Sequence, residues 1–489
     1  MISNLKLKIY SPINKLLFSI VSLFVISVAN FSNADEVDKF IIDQMSERKI
    51  SGLQISVVRH GEIIKTASYG IANLQDNVAV TDNTVFTLNS ITKAFVGVAI
   101  VQLIEQGKID LGASPLEYIS DIPQEWGMVT IKQLLSHTSG LPEIMSNDAR
   151  LISNEGEEAA WQLVKTLPMQ FKPNEKFRYN QTNYLLLGKI IEEVSGKNFE
   201  DFIRINQLES VGMPRTVEAG FSHTEKVIPS QARGYTYYQT GNLTTINEAF
   251  PPFLRTAAGM SSKTSEMAKW IIALQSGKLI DKVNLKILWE AAVLNNDEIG
   301  GFNNYLNGYA LGWPVIQRDE HPAVASAGGD RNLLIIYPQD DLSIIVLTNL
   351  MGATPDNFID EIASFYIPEL SIEAGFGLSE ELDELRKLLD VSGYDKAISI
   401  VQSPKNIKYA ESEINSWGYK LLNALKKQEA LEIFKLNVFL FPESANTYDS
   451  LADAYSRVGR IEEARQYYSK VLEIDLKNQN AMFQLDRLK

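Results

Sequence analysis

Apolar and polar side chains alternate along residues 53–58 (Leu-Gln-Ile-Ser-Val-Val), and a half-buried pattern resumes over residues 62–69 after the pair His60-Gly61. Alternation on both sides of a tight turn predicts a β-hairpin. A second hairpin is predicted far downstream, where Asn332–Tyr337 and Leu342–Thr348 flank Pro338-Gln339-Asp340-Asp341. Between the two, the helical period dominates. Residues 91–106 are apolar on nearly every face and stop at Gly107, the pattern of a helix buried inside a large domain. Shorter helical stretches cover residues 184–194, 267–274 and 356–365, and a further helix over residues 36–48 precedes the first hairpin. Strands at both ends of a segment with helices between them predict one α+β domain.

From about Leu370 the strand patterns end, and charged, helix-forming sequence carries a self-similarity of 34 residues. Gly418, Ala430, Phe434 and Pro442 recur as Ala452, Ala464, Tyr468 and Leu476. Small residues at fixed offsets let paired helices approach, and the aromatic fills the gap between neighbours. The pattern resembles the tetratricopeptide repeat, most clearly where Tyr455, Gly459, Ala464 and Tyr468 fall at that family's positions; Leu476 stands where a proline is usual. Two repeats are fewer than such arrays need for stability. The missing burial is expected from a degenerate helical unit near Leu378–Val401 or from docking onto the first domain. The expected organisation is a leader over 1–34, a first domain over 35–368, a linker and degenerate helical unit over 369–410, and repeats over 411–489.

The leader is read from Lys6, Lys8 and Lys15, the apolar run Leu16–Ala29, and Ser32-Asn33-Ala34, which sets small residues around a cleavage site. The run is short of the roughly 20 residues that span a bilayer. These features predict export to the periplasm or the medium after cleavage near Ala34, with no stable membrane anchor. The 489 residues carry a formal charge of −14, and the leader contributes lysines but no acids to it. Nucleic acid is therefore not an expected partner. Cysteine is absent from the chain, which excludes thiolate nucleophiles and cysteine-bound metals. His60, His137, His223 and His321 lack the spacing of a metal site, so no metal or cofactor is expected.

A hydrolase without metal or cysteine needs an activated hydroxyl. Ser-x-x-Lys occurs as Ser3/Lys6, Ser46/Lys49 and Ser90/Lys93, and context separates the three. Ser3 lies in the leader and Ser46 at the end of a polar helix. Ser90 opens the buried helix, and Lys93, one turn on, has Phe86, Ile91, Ala94 and Phe95 around it. Desolvation lowers a lysine's pKa toward the range of a working base, so Ser90 is the candidate nucleophile and Lys93 its base.

Phe-Thr-Leu-Asn-Ser-Ile-Thr-Lys (86–93) and Leu-Leu-Ser-His-Thr-Ser-Gly-Leu-Pro (134–142) resemble segments of the class C β-lactamase-like serine hydrolases, relatives of the penicillin-binding proteins. The resemblance extends over about 35–368. It implies an antiparallel sheet flanked by the terminal helices, with a helical subdomain as the other wall of the site. The family's Tyr-x-Asn motif falls on Tyr179-Asn180-Gln181, which makes Tyr179 the candidate partner base and places Gln181 where asparagine is usual. The third motif fits Ser326-Ala327-Gly328 followed by Gly329, with Gly329 N–H and Ser90 N–H as the expected oxyanion hole. Ser326 stands where a cation is usual, and Arg331 is the nearest candidate to replace it. His137 is expected to serve a structural hydrogen-bonding role, and the six tryptophans to be core.

These readings predict an acyl-transferring serine hydrolase acting on a small ester, amide or D-amino-acid peptide. Without the usual cation, an esterase or a peptidase working from the amino end gains over an efficient β-lactamase. The rival reading is a catalytically decayed binding protein whose repeats engage a protein partner.

Overall fold

Both predicted hairpins meet in one antiparallel sheet. The computed structural model describes residues 36–146, 150–221, 226–238, 242–246, 251–303, 305–402, 409–424 and 426–488; the leader expected over 1–34 lies outside them. Helix α1 (36–47) is followed by β1 (Gly52–Arg59), β2 (Glu62–Asn73) and β3 (Val78–Ala79). The later strands are β4 (Gly308–Tyr309), β5 (Pro314–Ile316), β6 (Ala323–Gly328), β7 (Asn332–Tyr337) and β8 (Leu342–Thr348). Their order is β3-β2-β1-β8-β7-β6-β5-β4. The first hairpin joins the second through β1 and β8, in register from Leu53 opposite Thr348 to Arg59 opposite Leu342.

Strands β7 and β8 are buried along their whole length, which is why Leu-Leu-Ile-Ile-Tyr and Ile-Ile-Val-Leu run without alternation. Helix α4 (Thr264–Gln275) packs on β1, β2 and β8. Helix α2 (Thr92–Glu105) is buried from Thr92 to Leu103 and stops where Gly107 turns left-handed at φ +69°. Phe95 stacks on Trp270 at 4.0 Å between ring centroids, and Trp270 on Trp313 at 6.0 Å. Trp126 and Trp161 are buried in the same core, as expected of tryptophans used for packing. Helix α3 (Gln181–Ser195) is capped by the Asn180 side chain, which accepts the Asn183 N–H, and ends at Gly196 in the left-handed region. Among the described residues no helix is long and apolar enough to cross a membrane.

A second compact unit begins at Asp360. It contains helices α5 (Glu380–Ser392), α6 (Glu411–Asn423), α7 (Lys427–Leu440), α8 (Ala445–Arg457), α9 (Ile461–Ile474) and α10 (Gln479–Arg487). Helices α6 and α7 pack as a pair, as do α8 and α9. A Cβ on Gly418 would stand 2.7 Å from Phe434 Cε1, so the small residue is what admits the ring. Trp417, Phe434, Leu451 and Tyr468 share one core with Leu382, Leu385, Leu389 and Ala397. The segment expected to be a degenerate helical unit therefore adds to the burial of the repeat-like helices. Leu476 is 77% exposed.

Candidate active site

Ser90 stands in a single 3-10 turn, Asn89–Ile91, that leads directly into α2, so the α-helix proper begins at Thr92 and not at Ser90. Asn89 sits at φ +52°, a conformation asparagine tolerates better than most residues. The turn is tied down locally. Thr92 Oγ1 donates to the Asn89 carbonyl at 2.7 Å and accepts Met260 N–H at 3.2 Å, while Leu88 N–H reaches the Met260 carbonyl at 2.8 Å.

The Ser90 side chain is partly accessible, whereas Lys93 is 1% exposed. Lys93 Nζ donates to the Ala257 carbonyl at 2.7 Å and lies 3.4 Å from Ser90 Oγ. Catalytic hydrogen bonds are often this long before a substrate arrives. The amine also lies 4.6 Å from the ring centre of Tyr179 and 5.1 Å from that of Tyr184. Burial pulls its pKa down to about 7, against a smaller opposing pull from the Glu143 carboxylate. Near neutral pH a substantial share of Lys93 is therefore unprotonated, with its lone pair free. Burial moves the Tyr179 phenol the other way, above its ordinary range, and outweighs the hydrogen bond with Ser90 that favours the phenolate. At neutral pH Tyr179 is a phenol suited to relaying a proton, and Lys93 is the group able to take one.

Tyr179 is held by a lattice of bonds between residues 137–144 and 178–183. Arg178 N–H donates to the His137 carbonyl at 2.9 Å, and Asn180 Nδ2 to the Leu141 carbonyl at 2.7 Å. Thr182 Oγ1 donates to the Pro142 carbonyl at 2.7 Å and accepts Ile144 N–H at 3.0 Å; Ser139 Oγ donates to Asn183 Oδ1 at 2.7 Å. His137 Nδ1 accepts Asn180 N–H at 3.1 Å and the Asn183 amide at 3.2 Å. Burial and the nearby Lys93 amine hold the imidazole well below its ordinary pKa, so it stays neutral. This is the structural part expected of His137, and it explains the polar run Ser-His-Thr-Ser, whose purpose the sequence did not disclose.

The turn after β6 forms the facing side. A Cβ on Gly328 would overlap the Leu88 carbonyl oxygen, and one on Gly329, at φ +59°, would stand 3.0 Å from Asn89 Cγ. The two glycines therefore press against the residues just before Ser90. Asn332 Nδ2 ties β7 to the same place by donating to the Thr87 carbonyl at 2.7 Å. Ser326 is buried on β6. Arg331 is only 2% exposed, with its guanidinium close to Gly329 and Gly234. Arg331, the candidate for pairing with an anionic substrate group, is thus enclosed beside the glycine turn. Gln181 opens α3, and its N–H is held by Glu143, an acid that sequence reasoning passed over. Glu143 directly follows Leu-Pro in the segment 134–142; only its contact with Gln181, from a separate segment, marks it.

A family model described as Beta-lactamase matches residues 37–366. Protein flp of Staphylococcus aureus (strain N315) is 28% identical over 322 residues, covering 64% of this chain and 63% of its own. Penicillin-binding protein 4* of Bacillus subtilis (strain 168) is 27% identical over 308 residues, covering 59% of this chain and 66% of its own. The chain thus spans under two thirds of the length of these relatives. Among solved structures, the octameric penicillin-binding protein homologue from Pyrococcus abyssi superposes with a TM-score of 0.58 at 24% identity, over 69% of this chain and 77% of that one. The D-amino acid amidase from Ochrobactrum anthropi SV3 gives 0.57 at 19% identity, over 69% and 98%. At these identities the structural likeness is one of fold.

Proposed function

Because the chain belongs to the beta-lactamase family of serine hydrolases, we propose that it is exported and hydrolyses a small ester, amide or D-amino-acid peptide through an acyl-enzyme on Ser90. Neutral Lys93 takes the Ser90 hydroxyl proton as Oγ bonds to the substrate carbonyl carbon. The negative charge passes to the carbonyl oxygen, where Ser90 N–H and Gly329 N–H receive it. The bond to the leaving alcohol or amine then breaks, and the proton reaches that group from Lys93 by way of the Tyr179 hydroxyl. Water repeats the sequence on the ester, giving a carboxylic acid and free Ser90. The carrying observation is a buried amine, pulled down to about 7, at 3.4 Å from an accessible serine hydroxyl.

Residues 35–368 form the hydrolase domain in this reading. Residues 369–410 are a linker with a degenerate helical unit, and 411–489 are tetratricopeptide-like repeats that offer a surface to a protein partner. The departures at Gln181 and Ser326 favour a second reading, a decayed binding protein. A fluorescent phosphonate separates the two: it should label wild type at Ser90, located by peptide mass, and leave Ser90→Ala unlabelled and inactive on p-nitrophenyl esters. Undiminished ester turnover by Ser90→Ala would falsify the assignment, and an unlabelled wild type would favour the decayed protein.

A further inference from the structure

A cavity of about 380 Å³ lies between α3 and residues 252–256, and Ser90, Lys93, Tyr179 and Gly329 are not among its walls. Its volume falls within the range of small-molecule pockets. Leu185 and Phe199, both buried, and the half-buried Phe253 give it an apolar lining, while the exposed Glu192, Asn198 and Pro252 stand where it opens to solvent. Its acids tie the walls together. Glu157 Oε2 accepts Phe253 N–H at 3.3 Å, Glu192 Oε1 accepts Phe199 N–H at 3.3 Å, and Glu200 is paired with the Arg255 guanidinium at 3.0 Å. Glu157 and Glu192 enter no ion pair among the described residues, and the wall's lysine, Lys189, lies over the Trp161 ring at 5.1 Å. With Glu200 neutralised by Arg255, two carboxylates stand against one ammonium. A carboxylate has about four lone-pair positions, so a single backbone amide leaves each acid room for further donors.

We propose that this cavity is a second ligand site, separate from the Ser90 cleft, for a small primary amine carrying an apolar group. The ammonium goes to Glu157 or Glu192, and the hydrocarbon to Leu185, Phe199 and Phe253. The site backs onto the support of the proposed base: Thr256, on its wall, donates its hydroxyl to the Tyr184 carbonyl at 2.8 Å, and the next residue supplies the carbonyl that holds Lys93 Nζ at 2.7 Å. The inference does not rest on the acyl-Ser90 reading. The competing account is that Glu157 and Glu192 serve only to tie the Phe253 and Phe199 amides, around a crevice that holds water.

The test is calorimetric titration of the full-length protein near pH 7 with phenethylammonium, 2-phenylethanol and 3-phenylpropionate, which share an apolar body and differ in charge. The amine should bind about tenfold more tightly than the alcohol or better, the scale of one charge-assisted hydrogen bond, and the acid should not bind. The double exchange Glu157→Gln/Glu192→Gln keeps acceptors for the Phe253 and Phe199 amides and removes both charges, so it should erase the preference for the amine; if it does not fold, the two single exchanges decide. Phe253→Ala should weaken amine and alcohol alike. Glu125→Gln/Glu290→Gln removes two exposed charges outside the cavity and should leave the affinities unchanged. An equal loss there would reduce the effect to the chain's overall negative charge and overturn the inference. So would an amine that does not bind, or a preference that survives the double exchange. Competition by the amine against p-nitrophenyl acetate, equal in wild type and the double variant, would seat it in the Ser90 cleft and overturn the inference as well.

Discussion

Lys93, the proposed base, is buried at a cost to the fold. Its amine is enclosed among Tyr179, Tyr184 and the Ala257 carbonyl, and it is pulled from 10.5 to about 7. On the acid side, kcat/KM should therefore fall tenfold per pH unit below about 7, as protonation removes the lone pair; a pH–rate profile with a neutral ester measures this. The same shift sets a stability slope. Between the two values the unfolded chain holds a proton that the native chain lacks, so the penalty for burying Lys93 grows as pH falls from about 10.5 to 7 and is constant below. Lys93→Met should thus abolish turnover while raising stability at pH 7 by ~1–3 kcal/mol, after subtracting the loss at the stranded Ala257 carbonyl. The gain should vanish near pH 10 in paired thermal melts, and an equal gain at both values would assign it to packing. Ser90 and Lys93 were legible in the sequence because a lysine in an apolar helix contradicts its surroundings. Glu143 and the enclosure of Arg331 were not, since each is defined by a neighbour from a separate segment.

Among the elements, α2 and the second hairpin were readable almost to the residue, α2 from its apolar run and the hairpin from two runs about a polar turn. The short strands Gly308–Tyr309 and Pro314–Ile316 were not, because two or three residues carry no period to detect. The start of α3 at Gln181 lay three residues before the apolar run that marked the helix: Asn180 caps it locally, and bonds to residues 137–144 fix its place. His137→Phe tests that lattice. The ring volume is kept, but Asn180 N–H and the Asn183 amide lose their acceptor, each stranded donor costing about 1–3 kcal/mol. Tm should fall by several degrees, and acylation should fall further than the folded fraction as Tyr179 loses its anchor. Normal acylation in a destabilised variant would confine His137 to folding.

At the scale of the whole molecule, all the residues gathered about Ser90 precede Ile359, where the first compact unit ends, and the repeat-like helices have a core of their own. A chain ending at residue 368 should keep kcat/KM for a small ester within about threefold of the full length, as expected for units that fold separately. Loss of turnover from a folded truncation would make the second unit part of the site.

The ladder between β1 and β8 ties the beginning of the first unit to its end, with Leu53 opposite Thr348. A ribosome delivers the first hairpin well before its partner, so the inner edge of β1 stays unpaired while every intervening helix is made. Contacts this distant along the chain slow folding, and an open apolar edge invites aggregation meanwhile. The sheet cannot close before residue 348 has emerged. For a polypeptide threaded through a membrane while still extended, as the proposed export requires, that late closure keeps the chain competent for passage and defers assembly of the nucleophile until the far side.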